Sequence, residues 1–103
     1  MFTGNENQDI NLTTASALTK AYRDANSGQI LGHYLSKKII GEILSQPNCV
    51  GIRVYYAINP TTSEKELVVS GVLENGDDIV NGVLGDRTFK SPPFTGATNA
   101  LNS

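Results

Sequence analysis

The chain has 103 residues, a formal net charge of −2 and a single cysteine, Cys49. This length is typical of one domain, and the weakly acidic balance argues against nucleic acid as a partner, because phosphate binding needs an excess of Lys and Arg. A lone cysteine excludes an intrachain disulfide and fits a reducing compartment. We find no secretory signal at residues 1–6 and no apolar run long enough to span a bilayer. We therefore expect a soluble cytoplasmic protein with no membrane partner.

The first predicted element is a helix over residues 14–25. Four apolar residues recur there at helical spacing and form one stripe: Leu18, Ala21, Tyr22 and Ala25. Thr13 is the predicted N-cap, since its hydroxyl can accept a free backbone N–H, and the Asn-Ser-Gly sequence at 26–28 supplies the stop. Residues 1–9 are polar and without period, so we expect a frayed end.

A second helix is predicted over residues 37–46. Ser36 can cap its start, and Pro47 ends it because proline disfavours helical geometry in the residue before it. Its predicted buried face consists of Ile39, Ile40, Ile43 and Leu44.

The spacing of apolar residues then changes from 3.6 to 2, which is typical of a strand. One face of this strand carries Val50, Ile52, Val54, Tyr56 and Ile58, and the other carries Gly51, Arg53, Tyr55 and Ala57. A loop at 59–63 and a strand over 67–73 complete an antiparallel hairpin. A third strand within 79–84 and an extended tail over 90–103 are also expected.

A hairpin alone is marginal in water, so the helices must cover one face of the sheet. We therefore predict an α+β fold: two N-terminal helices packed in two layers on a small antiparallel sheet, within a single domain over 1–103. The helices are expected to cover the Val50–Ile58 face and to leave the Arg53 face open.

Three segments carry a resemblance to a known group. They are QPNCVGIRVYY at 46–56, ENGDDI at 74–79 and PPFTGATNALN at 92–102. The sequence is similar to a group of small uncharacterised bacterial proteins with no known activity. The resemblance therefore implies a bacterial source and supports the architecture, but it implies nothing about chemistry.

Cys49 and His33 are the only thiol and the only imidazole, so a thiol-dependent enzyme would have to use both. No family signature surrounds them, and the alternative is a small buried cysteine and a loop histidine. We expect no cofactor and no metal site. Glu74, Asp77 and Asp78 cluster at a turn, but their spacing does not match a calcium loop, and acidic residues favour turns for local backbone bonding.

Two pairs of residues are candidates for ligand binding. Lys37 and Lys38 lie in the first turn of the second helix, where free N–H groups and ammonium groups can attract an anion. The alternative is an ion pair between Lys38 and Glu42, with Lys37 solvated. Arg53 and Tyr55 share the expected open face and suit a partner or ligand. The alternative is cross-strand packing against Val68, Ser70 and Val72.

No catalytic motif is complete. The leading hypothesis is a non-catalytic binding or protein-interaction module that uses the open sheet face or a strand edge. Self-association into a homodimer is the simplest use of such an edge. The alternatives are a small thiol-dependent enzyme using Cys49 and His33, and a subunit of a larger bacterial assembly that docks through its proline-bearing tail.

Overall fold

The computed structural model describes residues 1–102, and this part of the chain is an α+β fold with two helices and antiparallel sheets. The predicted α+β class, with two helices and an antiparallel sheet, is therefore confirmed. The elements in chain order are α1 (Leu12–Ala25), β1 (Gly32–Tyr34), α2 (Lys37–Leu44), β2 (Cys49–Ile58), β3 (Lys65–Leu73), β4 (Leu84–Gly85) and β5 (Phe89–Ser91). Neither α1 nor α2 is long and apolar enough to cross a membrane.

The chain divides into two compact units. Unit 1 contains residues 1–6 and 35–88, and therefore α2, β2, β3 and β4. Unit 2 contains residues 7–34 and the chain from residue 89 onward, and therefore α1, β1 and β5. A single domain over the whole chain stays a prediction.

The sheet of unit 1 has the strand order β2-β3-β4, so β3 is central. The predicted hairpin is confirmed, because β2 and β3 pair antiparallel with Arg53 opposite Ser70 and Val54 opposite Val69. The third strand lies at 84–85 rather than within 79–84, where it was expected. The backbone just before it is held by a helix side chain, since the Val83 N–H donates to the Gln46 amide oxygen at 2.8 Å.

Helix α2 packs on the sheet face that carries Val69. Ile43 is fully buried, and a Cβ added to Gly85 would lie 3.2 Å from Ile39. The predicted N-cap is confirmed, because the Ser36 hydroxyl accepts the Ile39 N–H. The helix ends at Leu44, two residues before the predicted end, and Leu44 is exposed rather than buried. The final turn differs because the Gln46 side chain bends back to donate to the Ile43 carbonyl.

The helices were predicted to cover the Val50–Ile58 face of β2, but α2 covers this face of the sheet only near Ile43. Opposite residues in antiparallel strands share a face, so α2 lies on the same side as Ile52 and Val54. Beyond them, Tyr56 is 95% exposed and Ile58 is 68% exposed. An eight-residue helix is about 12 Å long, whereas a ten-residue strand extends about 33 Å. Helix α2 is too short to cover β2.

The N-terminal segment, residues 1–6, belongs to unit 1, although the sequence predicted a frayed end there. The Phe2 N–H donates to the Glu74 carbonyl at 2.7 Å, and the Glu6 carboxylate accepts the N–H groups of Thr3 and Gly4. A Cβ added to Gly4 would lie 2.7 Å from the Val50 carbonyl oxygen. The segment is therefore positioned against the start of β2 and the end of β3.

Helix α1 of unit 2 begins two residues earlier than predicted. Its N-cap is Asn11, whose side-chain oxygen accepts the Thr14 N–H at 2.8 Å, so the prediction of Thr13 was wrong. Asn caps a helix at least as well as Thr, and a cap further upstream adds a half turn to the helix.

The predicted apolar stripe of α1 is exposed, with Leu18 at 62%. The half-buried side of the helix is instead mostly polar. Ser16 donates from its hydroxyl to the Ala100 carbonyl at 3.0 Å, and Arg23 donates to the Leu101 carbonyl at 2.7 Å. These bonds tie the C-terminal segment to α1.

The sheet of unit 2 pairs β1 with β5 antiparallel, so the predicted extended tail contains a paired strand. Tyr34 lies opposite Phe89, and their rings stack with centroids 5.7 Å apart. Phe94 stacks on Phe89 at 4.9 Å. After β5 the chain turns rather than running on extended, since the Asn102 N–H donates to the Asn99 carbonyl.

Candidate functional site

A polar cluster lies on the sheet face opposite α2 and consists of Arg53, Tyr55, Ser70 and Asp78. The hairpin register places Arg53 beside Ser70, and Tyr55 two residues further along the same face. Asp78 joins them because it follows the turn after β3 and bridges back to Val72. Three separate stretches of chain therefore meet at one carboxylate.

Both oxygens of the Asp78 carboxylate are engaged. Oδ1 accepts from the Arg53 guanidinium at 2.6 Å and from the Ser70 hydroxyl at 3.2 Å. Oδ2 accepts from the Tyr55 hydroxyl. Charge-assisted hydrogen bonds of this kind are about twice as strong as neutral ones.

Arg53 makes two further contacts within unit 1. The same guanidinium nitrogen donates to the Gly76 carbonyl at 3.0 Å. The centre of the guanidinium lies 5.9 Å from the centroid of the Phe2 ring, within the range of a cation–π contact. The N-terminal segment thus covers part of the face that the sequence predicted to be open.

These contacts shift three pKa values. The Tyr55 hydroxyl is the largest cause that lowers the pKa of the Asp78 carboxyl, and Arg53 and Ser70 lower it further. The hydrogen bond to Asp78 also raises the pKa of Tyr55 and the pKa of Arg53. The cluster therefore favours an ionised Asp78, a charged Arg53 and a neutral Tyr55.

The cluster satisfies itself, so its clearest role is to join β2 to the turn after β3. The sequence identified Arg53 and Tyr55 but not Asp78 as their partner. Ser70 was among the residues predicted to pack across the strands, and the register places it opposite Arg53. The bridge between Asp78 and Val72, which brings Asp78 to Arg53, has no signal in the local sequence pattern. Arg53 and Tyr55 as ligand-binding residues stay a prediction.

Cys49 and His33 lie in different units. The half-buried Cys49 thiol donates to the Gly51 carbonyl at 3.2 Å and lies close to Gly71. His33 is on β1, opposite Lys90, rather than in a loop as the sequence suggested. The thiol-dependent enzyme stays a prediction.

The remaining candidates are local. Asp77 accepts a side-chain hydrogen bond from Asn75, and Asp78 belongs to the polar cluster. Within residues 1–102, no three His, Cys, Asp or Glu side chains form a group that could hold a metal ion. Lys38 pairs with Glu42, which is the alternative that the sequence analysis offered, and Lys37 is exposed in the first turn of α2.

The outer side of β2 is a second candidate site. Within residues 1–102, no strand pairs with β2 on the side away from β3. The Leu73 N–H donates to Asp77 and the Gly71 carbonyl accepts from Ile79, so these odd-numbered residues of β3 bond away from β2. The N–H and C=O groups of successive residues point to opposite sides of a strand. The N–H and C=O groups of the β2 residues that lie opposite Gly71 and Val69 therefore point away from β3.

We call this outward-facing backbone, with the side chains that it carries, the β2 edge. Its members are Ile52, Val54, Tyr56 and Ile58. Their side chains lie on the sheet face on which α2 packs, but α2 is too short to cover them, and all four are exposed. Backbone hydrogen-bonding groups and apolar surface are therefore available at the same four positions.

The chain matches no protein-family model, no curated protein and no solved structure.

Proposed function

We propose that this protein is a non-catalytic protein-interaction module that binds an extended strand of a partner polypeptide along the β2 edge. One observation carries the proposal: a ten-residue strand with no partner on its outer side, within the part of the chain described, exposes apolar side chains at the same residues whose backbone faces outward. Strand addition uses both features, because the backbone supplies affinity and alternate side chains supply specificity.

The composition of β2 supports this role. Proteins protect unpaired edges with lysine, proline or charges that point inward. Between residues 49 and 58 there is no lysine and no proline, and the single charge, Arg53, is paired with Asp78. A bulge at Cys49 and Gly51 disturbs only the start of the strand. The edge from Ile52 to Ile58 is therefore regular and without protecting residues.

The proposal is tested with a fluorescent peptide that repeats residues 51–59, with lysine tails for solubility, titrated against the full chain in an anisotropy assay. We expect saturable binding that Tyr56→Lys in the protein weakens at least tenfold, because the substitution places a charge on the β2 edge. Val80→Lys is the matched control, since Val80 is also exposed and apolar but lies outside the β2 edge. Equal binding by the two variants, or no saturable binding by a chain that is monomeric at the assay concentration, would reject the proposal.

A subunit of a larger bacterial assembly that docks through its proline-bearing tail stays an alternative to this proposal. A two-layer arrangement is also part of the proposal, supported by the packing of Ile43 and Ile39 of α2 on the sheet of unit 1. A cytoplasmic location is supported by the free thiol of Cys49.

A further inference from the structure

We infer that the strand bound at the β2 edge is β2 of a second copy of this chain, paired antiparallel about a twofold axis at Tyr55. The inference rests on the proposed function and names its partner. Two such edges would join into one continuous six-stranded sheet with the order β4-β3-β2-β2-β3-β4. An isologous contact of this kind closes on itself and gives a dimer rather than a fibre.

The usable edge is bounded at both ends. At the start of β2, Gly4 approaches the Val50 carbonyl so closely that a Cβ there would lie 2.7 Å away. The N-terminal segment thus occupies the region next to Val50. At the other end, β2 stops at Ile58, and Asn59 begins the loop by accepting the backbone N–H groups of Thr61 and Thr62. The open stretch is Ile52–Ile58, and its midpoint is Tyr55.

The backbone restricts the register of the pairing. The outward-facing residues of β2 are the even-numbered ones, and each must meet an outward-facing residue of the partner strand. With the axis at Tyr55, Ile52 lies opposite Ile58 and Val54 lies opposite Tyr56, so all four positions of the edge are paired. An axis at Val54 would instead place Ile58 opposite Val50, where Gly4 lies. Only the Tyr55 register uses the whole open edge.

The side chains fit this register on both faces. On the face that carries the side chains of the β2 edge, every cross-strand pair is apolar, and such pairs are the unit of sheet stabilisation. On the other face, Arg53 lies opposite Ala57 of the second copy, so the two guanidinium groups do not oppose each other. Each Arg53 also remains paired with Asp78 of its own chain. No charge needs to be buried without a partner.

The first test is the mass of the full chain in solution, measured by size exclusion with light scattering across a concentration series. We expect a dimer that Tyr56→Lys converts to a monomer, since the new charge would lie opposite Val54 of the second copy. Val80→Lys is expected to stay dimeric. The inference would be overturned by a wild-type chain that remains monomeric at a concentration 100-fold above the one used in the anisotropy assay.

The second test fixes the register by disulfide cross-linking in a Cys49→Ser background. Ile52→Cys and Ile58→Cys chains, one of them carrying a tag, are mixed and oxidised with oxidised glutathione. Opposite residues of antiparallel strands have Cα atoms roughly 4.5–5.5 Å apart, which suits a disulfide. We expect cross-linking in the mixture and none in either variant alone, because identical positions then lie about 20 Å apart along the strands, at roughly 3.3 Å per residue.

The outcomes separate the inference from the proposed function. Binding of the peptide by a chain that stays monomeric would leave the strand-binding module in place and overturn the second copy as its partner. Cross-linking of Ile58→Cys alone, or none in the mixture of a dimeric protein, would overturn the Tyr55 register. Failure of both the peptide and the dimer would overturn both proposals. Circular dichroism melting of each variant shows that it is folded before it is scored.

Discussion

The Arg53 guanidinium and the Asp78 carboxylate lie 2.6 Å apart, although 25 residues separate them along the chain. The contact joins the second strand, β2, to the segment that follows the turn after β3. Tyr55 and Ser70 bind the same carboxylate. Asp78 is therefore the residue on which the polar side of the sheet depends.

Removal of the Asp78 carboxylate by Asp78→Ala should lower the melting temperature by several degrees. Arg53, Tyr55 and Ser70 would all lose their shared acceptor, and a part-buried donor without a partner destabilises the folded state. Asp77→Ala is the matched control, since Asp77 is exposed and its side chain binds only Asn75 nearby. Differential scanning calorimetry of the two variants measures the contrast. Equal shifts would show that the cluster does not stabilise the fold.

The stability of the protein should depend on acid pH through Asp78. Its pKa is lowered in the folded state, chiefly by the hydrogen bond from Tyr55. The stabilisation is therefore present above the unfolded pKa of about 3.9 and is lost as the pH falls through the lower folded value. Urea unfolding midpoints measured between pH 7 and pH 2 should fall more steeply for the wild type than for Asp78→Asn.

The loss of stability at alkaline pH should depend on Tyr55. Its hydrogen bond to Asp78 raises the folded-state pKa, so the stabilisation is complete below the unfolded pKa of about 10 and is lost as the pH rises through the higher folded value. Tyr55→Phe should remove this pH dependence and lower the stability near neutral pH. Tyr56→Phe is the control, because the Tyr56 side chain is almost fully exposed. Urea midpoints from pH 8 upward check both variants.

Two neighbouring residues of α2 should respond differently to truncation. Ile43→Ala is expected to cost about 2–5 kcal/mol in the free energy of unfolding, because Ile43 is fully buried and its removal leaves a cavity. Leu44→Ala should cost well under half as much, since Leu44 is 46% exposed. Chemical denaturation of both variants gives the comparison. A larger effect at Leu44 would contradict the observed face of the helix.

Two glycines should respond to alanine with opposite signs. Gly4 has a φ of +85°, and an added Cβ would meet the Val50 carbonyl, so Gly4→Ala should displace the N-terminal segment. Gly41 lies in α2 with no atom within 4 Å of an added Cβ, so Gly41→Ala should stabilise the protein by about 1 kcal/mol. Hydrogen exchange of residues 1–6 and thermal melting would measure the two effects. Destabilisation by Gly41→Ala would contradict the open space observed around Gly41.

Much of the secondary structure could be predicted because it follows from local pattern. The switch from helical to alternating spacing near Cys49 located both α2 and β2. Ser36 was recognised as a cap because its hydroxyl acts on the next few residues of chain. The prediction of Thr13 as the cap of α1 was wrong because Asn11, half a turn earlier, can also accept a free backbone N–H.

The candidate sites could be predicted only in part. Arg53 and Tyr55 were identified by their shared face, which is a property of strand alternation. Their acceptor, Asp78, depends on how the chain returns after the turn. The exposure of Leu18 was also predicted wrongly. Its place in an apolar stripe does not specify whether another element packs against that stripe.

The sequence by itself determined the identity and approximate limits of the main elements, because capping, turn residues and the period of apolar side chains act over a few residues. The tertiary structure alone decided that Asp78 joins the cluster, that Gly4 lies against Val50, and that α2 leaves Tyr56 and Ile58 exposed. These outcomes depend on the lengths of packed elements and on contacts between distant parts of the chain, and no short stretch of sequence encodes either.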